Sequence, residues 1–134
     1  MARFDNRVCI ITGGASGIGA ETARRYVGDG GKVVIGDVDE AGGRAVADEI
    51  GDAAAFTPID VADANSCASG VAFAVATFGR LDGLVNSAIR MGPGPLEDLS
   101  LADWHKVLDV GLTGTFLMTQ AAGRWWIDNK APGA

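Results

Sequence analysis

Short apolar runs alternate along the chain with longer segments in which apolar residues recur every three or four positions. The four runs that predict strands buried on both faces of a parallel sheet are 7–12, 32–36, 53–59 and 81–86. The segments with the period of amphipathic helices are 18–28, 40–50, 63–78 and a longer one at about 104–129. Strands and helices that alternate through short connections predict an α/β fold with a Rossmann-type, doubly wound parallel sheet.

A glycine-rich turn joins the first predicted strand to the first predicted helix. Gly13, Gly17 and Gly19 let the backbone turn sharply and leave no Cβ where a pyrophosphate has to approach. The N–H groups and the dipole at the start of the helix favour negative charge there. The turn therefore predicts a dinucleotide site, which we expect to include the neighbouring residues Ala15, Ser16 and Ile18.

An acidic residue ends the second predicted strand. In this type of fold a carboxylate at the position of Asp37 accepts hydrogen bonds from the ribose hydroxyls and repels a 2′-phosphate. No Lys or Arg lies in 13–19, and Val38 and Asp39 follow Asp37 directly. The pattern therefore favours NAD over NADP, with Val38 beside the adenosine.

Composition limits the other functions that the chain could have. It has 134 residues, enough for a single domain, and 11 basic against 17 acidic residues give a net charge of −6. Such a balance argues against binding to nucleic acid or to an anionic membrane. No segment resembles a signal peptide or a membrane span, and Cys9 and Cys67 have no metal-ligand spacing. We expect a cytoplasmic protein with reduced, inert cysteines and no metal site.

Several segments together resemble the short-chain dehydrogenase/reductase family along the whole chain. The resemblance implies hydride transfer between a nicotinamide cofactor and an alcohol or ketone. It also implies that Asp60 lies near the adenine amino group and that Asn86 stabilises the central sheet. The matching segments are Thr12-Gly13-x-x-x-Gly17-x-Gly19, Asp60-Val61, Leu84-Val85-Asn86-Ser87-Ala88 and Gly114-Thr115-Phe116.

Three positions depart from the family pattern in the matching region. Ser87 and Ile89 stand where the family has its second Asn and its Gly, so larger side chains crowd a stretch that approaches the cofactor. Gly111 stands where the family has an Asn that helps to hold a water molecule. The apolar loop that follows, 89–96, is the one hint of a substrate pocket.

The residues that carry out proton transfer in the family have no counterpart in 1–134. The resemblance assigns that role to a Ser and a Tyr-x-x-x-Lys motif. The only tyrosine here, Tyr26, has Gly30 four residues later and belongs to the first helix. We therefore expect the cofactor-binding half of such an enzyme, with about four strands, no catalytic residue of its own and, if active, a small alcohol or ketone substrate.

Other interpretations remain open from the sequence. The chain can be an inactive nucleotide-binding or protein-interaction module, with Trp125 and Trp126 as contacts to a partner. Asp60 can cap the next helix instead of contacting adenine, and His105 is interpreted as helix surface. A fourth strand without an outer neighbour predicts a homo-oligomer, a strand swap, or a last helix that covers the edge.

Overall fold

The computed structural model describes residues 2–134 as helices packed on both faces of a parallel sheet. The strands are β1 (Val8–Thr12), β2 (Lys32–Asp37), β3 (Ala54–Pro58) and β4 (Gly83–Asn86). The helices are α1 (Gly17–Gly28), α2 (Glu40–Ile50), α3 (Ala64–Phe78), α4 (Leu101–Leu108) and α5 (Gly114–Asp128). The strand order β3-β2-β1-β4 confirms the Rossmann-type sheet of four parallel strands.

Each face of the sheet carries its own apolar core. Ile10 and Val34, which are partners in the register of β1 and β2, pack with Met118 against α3 and α5. Ile11 and Ile35, one residue further along the same strands, pack on the opposite face against α1 and α2. Because successive strand residues point to opposite faces, apolar runs such as 8–11 are required for a sheet covered on both sides.

Side-chain caps determine where several helices begin. Ser100 caps α4 by accepting a hydrogen bond from the backbone N–H of Asp103. Asp63, and not Asp60, caps α3, by accepting hydrogen bonds from the N–H groups of residues 65 and 66. The alternative interpretation of Asp60 as the cap of this helix is therefore wrong.

The predicted helix over 104–129 differs from the observed one in two respects. It begins three residues earlier, at Leu101, and a π-helical turn over Asp109–Thr113 separates α4 from α5. Two glycines, Gly111 and Gly114, lie at this turn and lower the local preference for a regular α-helix. The hydroxyl of Thr115 also donates to the carbonyl of Gly111, at 2.8 Å.

Three strands are shorter than predicted. β1 begins at Val8, β3 covers only Ala54–Pro58, and β4 begins at Gly83. Proline has no N–H to donate to a sheet ladder, which explains why β3 ends at Pro58. Leu81 and Asp82 precede β4, where the Asp82 carboxylate accepts the backbone N–H of Val8 at 2.8 Å.

The outer edge of β4 meets the last residue that the structure describes. Ala134 donates its N–H to the carbonyl of Asp82 and accepts the N–H of Leu84. The indole of Trp126 donates to the carbonyl of Leu81, at 2.8 Å, so α5 lies close to this edge. Within 2–134 no helix combines the length and the apolar character needed to cross a membrane.

Candidate functional site

A cavity of about 500 Å³ opens at the carboxyl ends of the four strands. This is the edge where open α/β sheets bind ligands. The predicted site residues that line it are Gly13, Ser16, Gly17, Ile18, Gly19, Asp37, Val38, Asp60, Val61, Ser87 and Ala88. The structure therefore brings together eleven of the thirteen residues singled out from the sequence, leaving Ala15 and Asn86 outside the lining.

The glycine turn forms the β1 wall of the cavity. Gly13 has a φ of +66°, and a Cβ there would lie 2.7 Å from the Cα of Ala88, so the turn needs glycine to approach the β4 loop. Gly17 has a φ of +53°, but a Cβ there would meet no protein atom within 4 Å. Gly17 therefore leaves open space at the N-terminus of α1, inside the cavity.

Ile18 belongs to the dinucleotide site predicted from the sequence, and it lies at the cavity. It shares the helical spacing of the apolar residues of α1, but its side chain is 81% exposed and lines the cavity. The buried face of α1 is formed instead by Gly19, Ala20 and Ala23. An exposed isoleucine beside a cavity offers apolar surface to a ligand.

The carboxylate of Asp37 is held by two backbone groups. Its oxygens accept the N–H of Ala15 and the N–H of Asp39, each at 3.0 Å. Ala15 does not line the cavity, but its N–H fixes the side chain that does. Val38 is exposed at the same rim. Asp37 is thus held at the end of β2 with its carboxylate at the cavity.

The hydroxyl of Thr12 connects the wall after β1 to the wall after β4. It accepts the N–H groups of Ser87 and Ala88, at 3.2 and 3.3 Å, and donates to the carbonyl of Val85 at 3.5 Å. Thr12 is buried, so these bonds fix the start of the β4 loop against the end of β1. Thr12 thus satisfies backbone groups of the β4 loop.

The segment after β3 supplies the third wall. Asp60 accepts the N–H of Ala62 at 3.0 Å through its carboxylate and donates its own N–H to the hydroxyl of Ser66 at 2.9 Å. Val61 is buried and packs against Gly114. A Cβ on Gly114 would collide with the Val61 side chain. The segment 60–61 thus meets the π-helical turn, from which Val110 also reaches the cavity.

Asn86 lies outside the cavity lining and connects two elements. Its side-chain amide donates to the hydroxyl of Thr119 at 3.2 Å, which joins the end of β4 to α5. This contact agrees with a role in supporting the sheet and places no Asn86 atom at the cavity.

Four lining residues were absent from the sequence-based site: Ile59, Ile89, Arg90 and Val110. Ile59 ends the predicted third strand, and Ile89 and Arg90 begin the predicted apolar loop, so these three had a local signal. Val110 comes from a helix far along the chain, and only the folded contact between α5 and the β3 segment brings it here. The carboxylates of Asp37 and Asp60 and the guanidinium of Arg90 are the charged groups of the lining.

The chain matches the family model described as short chain dehydrogenase over residues 7–133. It belongs to the short-chain dehydrogenase family. This agrees with the cavity geometry, in which a glycine turn after β1 and an aspartate after β2 share one wall.

Two curated short-chain dehydrogenases illustrate the similarity. The chain is 42% identical over 119 residues to a 3-alpha-(or 20-beta)-hydroxysteroid dehydrogenase of Mycobacterium bovis, covering 89% of this chain and 46% of that protein. It is 43% identical to a D-threitol dehydrogenase of Mycolicibacterium smegmatis, covering 91% and 48%. The chain therefore spans about half the length of the curated relatives it matches.

A solved short-chain dehydrogenase structure gives the same result for the fold. The 3-ketoacyl-(acyl-carrier-protein) reductase of Brucella melitensis, complexed with NADH, superposes with a TM-score of 0.87 at 35% identity. The alignment covers 93% of this chain and 52% of the reductase.

The departures from the short-chain dehydrogenase pattern fall at two places. Ser87 and Ile89 lie on the β4 wall of the cavity, where the Ile89 side chain is 69% exposed. Gly111 lies in the π-helical turn, and a Cβ there would meet no atom within 4 Å. Ile89 thus belongs to the cavity lining, whereas Gly111 does not.

Reactive side chains outside the cavity are structural. Burial raises the pKa of the Cys9 thiol to about 12 and the pKa of Tyr26 to about 12. The ring of Tyr26 stacks on Phe4 with 4.2 Å between centroids. His105 is exposed on α4, as expected. Residues 2–134 hold no group of His, Cys, Asp or Glu arranged for a metal ion.

Proposed function

We propose that residues 1–134 form a single NAD(H)-binding domain of an oxidoreductase that acts on the alcohol or ketone group of a small molecule. The observation that carries this proposal is the open space above Gly17. There a positive φ and the missing Cβ leave the start of α1 accessible from a cavity that also contains a fixed carboxylate. A diphosphate needs close backbone approach, and a ribose needs such an acceptor.

Different residues of the cavity lining contact different parts of the cofactor. The turn 13–19 binds the diphosphate through backbone N–H groups, with Ser16 and Ile18 beside it. The Asp37 carboxylate accepts hydrogen bonds from the ribose hydroxyls, next to Val38. Asp60 and Val61 bind the adenine. Ser87 and Ala88 bind the nicotinamide half, because they lie on the other side of the β1 turn. Ala15 and Asn86 act indirectly, through Asp37 and through β4.

Preference for NAD over NADP follows from charge at the Asp37 end. Asp37 and Asp60 supply carboxylates there, and Arg90, the one basic residue of the lining, belongs to the β4 loop. A 2′-phosphate beside Asp37 would meet a negative group without a compensating cation. The cavity therefore supports binding of NAD(H) more than of NADP(H).

When bound, the cofactor supplies the hydride, and the residues of 1–134 bind and orient it. We assign no catalytic residue within 1–134. We infer that proton transfer to the substrate oxygen uses groups outside this segment, and that 1–134 alone shows no turnover. Assembly as a homo-oligomer and a cytoplasmic location remain part of the proposal. The exposed side chains of Leu112 and Phe116 support the former.

The alternative, a protein-interaction module with Trp125 and Trp126 as exposed anchors, gains no support from the structure. Both rings are half-buried and pack against the core between the sheet, α3 and α5. The indole N–H of Trp126 is already used by the carbonyl of Leu81.

Titration with NADH and NADPH, followed by energy transfer from tryptophan, tests the proposal. We expect saturable binding of NADH that is at least tenfold tighter than binding of NADPH. Asp37→Ala should abolish that preference, because it removes the ribose acceptor and the repulsion of the phosphate. Asp48→Ala, at an exposed residue of α2 outside the cavity, is the matched control. Absence of NADH binding by the unaltered chain contradicts the proposed function.

A further inference from the structure

The loop after β4 places a basic residue, Arg90, in the lining of the cavity. Arg90 is exposed and is the single Lys or Arg among the lining residues of 2–134. The other charged lining residues, Asp37 and Asp60, follow β2 and β3. Since the strand order is β3-β2-β1-β4, the carboxylates lie at one end of the cavity and the guanidinium at the other.

The guanidinium of Arg90 forms no salt bridge among residues 2–134, whereas most arginines of the chain do, although its charge contributes, after the hydrogen bond from Ser100, to the lowered pKa of Asp103 on α4. No carboxylate lies within 4 Å of it, and it donates no hydrogen bond within the described chain. The arginines that do pair with carboxylates are Arg7, Arg24, Arg25, Arg44 and Arg80. A guanidinium presents five donors in a planar fork suited to phosphate and carboxylate groups.

The backbone on both sides of Arg90 is held in place. Two and three residues before it, the N–H groups of Ala88 and Ser87 donate to Thr12. Two residues after it, Gly92 packs against Leu99, so closely that a Cβ would lie 2.9 Å from a methyl carbon. The loop therefore presents the side chain from a fixed base, which reduces the entropy lost when it binds.

Because the rest of the chain is acidic, an anionic ligand depends more strongly on the Arg90 guanidinium. The net charge of −6 and the carboxylates of the cavity repel an anionic ligand. Arg90 is the side chain of the lining that can offset that repulsion at the β4 end. Its neighbours Ile89 and Met91 are exposed and apolar, so they bring no competing charge to this end of the cavity.

We propose that Arg90 binds an oxyanion, a phosphate or a carboxylate, of the ligand that occupies this cavity. The proposal rests on the proposed function for the identity of the ligand. Two sources share this chemistry: the diphosphate of the dinucleotide itself, and an acidic group on a second molecule bound beside it.

The test compares the unaltered chain with Arg90→Met, which keeps the length of the side chain and removes its charge. Arg124→Met is the matched control, because Arg124 is exposed on α5, has no paired carboxylate in the described chain and lies outside this cavity. The probes are NADH, ADP-ribose, adenosine and inorganic phosphate. Affinities are measured at low and at moderate salt, and the Arg90 side-chain N–H signal is followed by NMR.

If the diphosphate is the oxyanion, Arg90→Met weakens the binding of NADH and ADP-ribose about tenfold and leaves the binding of adenosine unchanged. The salt dependence of NADH binding is also reduced. If the oxyanion belongs to a second molecule, NADH affinity stays the same. In that case phosphate added to the NADH-saturated chain shifts the Arg90 signal and no longer binds the variant. If Arg90→Met behaves like Arg124→Met with every probe, the proposal is overturned.

Failure of the proposed function is distinguishable from failure of this inference. Without NADH binding by the unaltered chain, the proposed function fails, and phosphate titration alone still tests Arg90. An Arg90 signal that phosphate does not move, with or without NADH, together with unchanged NADH affinity in the variant, overturns the inference by itself.

Discussion

Strands β1 and β4 are neighbours in register, yet they differ in how firmly they are enclosed. All five residues of β1 are buried, whereas Gly83, Leu84 and Val85 of β4 are half-buried and Asn86 is exposed. β1 has a hydrogen-bonded strand on each side and helices on both faces. In the described part of the chain, the backbone hydrogen bond to the outer edge of β4 comes from Ala134 and not from a strand.

The same contrast distinguishes two walls of the cavity, the one after β1 and the one after β4. The β1 wall is a glycine turn whose shape depends on close backbone approach. The β4 wall carries the exposed side chains of Ile89 and Arg90. We infer that the β1 wall provides binding common to any dinucleotide, and that the β4 wall adapts the site to a particular ligand.

The largest expected effect compares two register partners, Ile10 of β1 and Leu84 of β4. Ile10→Ala should lower the free energy of unfolding by about 2–5 kcal/mol, because Ile10 is fully buried. Leu84→Ala should cost about 1–2 kcal/mol, since part of that side chain is exposed in the folded state. Urea denaturation of the two variants measures the difference. Equal costs would show that β4 is as well enclosed as β1.

The next effect concerns the link between the two strands at Asp82. Its side chain is 5% exposed and pairs with Arg80 at 2.6 Å while accepting the N–H of Val8. Burial acts to raise the pKa of Asp82, but the hydrogen bonds from Arg80 and Val8 outweigh it, so the pKa is lowered. Asp82→Asn should cost about 1–3 kcal/mol at pH 7.

The pH dependence of that cost gives a second check. The pKa of Asp82 is lower in the folded chain than in the unfolded chain, where it is about 4. The ionised carboxylate therefore stabilises the fold fully at pH values above about 4. That contribution is lost as the pH falls through the folded pKa. The difference between Asp82→Asn and the unaltered chain should therefore narrow in urea titrations below pH 4. A difference that stays constant down to pH 2 would contradict this account.

A smaller effect separates two glycines of the β1 wall. Both Gly13→Ala and Gly17→Ala place a side chain at positive φ, which lowers the free energy of unfolding by about 1–2 kcal/mol each. Gly13→Ala adds a collision with Ala88 and should destabilise the chain more. Gly17→Ala meets no protein atom, so it should reduce NADH affinity at least tenfold with little further loss of stability. If Gly17→Ala binds NADH normally, the diphosphate does not lie against the turn.

The smallest effect is chemical and leaves stability unchanged. Burial raises the pKa of Cys9, in β1, to about 12 and also raises that of Cys67 in α3. Both thiols should stay protonated at pH 8 and resist iodoacetamide in the folded chain. Mass spectrometry should show labelling only after urea is added. Rapid labelling of Cys9 without urea would mean that β1 is less enclosed than the structure shows.

The central part of the fold is predictable because its signals are local. Apolar runs on β1 and β2 and the spacing of Gly13, Gly17 and Gly19 are set by requirements within one strand–turn–helix unit. The acidic residue at the end of β2 follows from the same unit. These features led to the correct sheet and to most of the cavity lining.

Features that depend on contacts between distant segments were missed. The π-helical turn and Val110 depend on packing between α5 and the segment after β3, which no short window of sequence records. Asp60 and Asp63 both resemble caps, and only the folded backbone distinguishes them.

The central claim is that a nicotinamide dinucleotide binds across the two walls of the cavity. Titration of the ¹⁵N-labelled chain with NADH, followed by amide NMR, tests it most directly. We predict saturable shifts at Gly13–Gly19, Asp37 and Ala88, with the signals of Trp125 unchanged. Shifts that fail to saturate, or that cluster away from these residues, would contradict the claim.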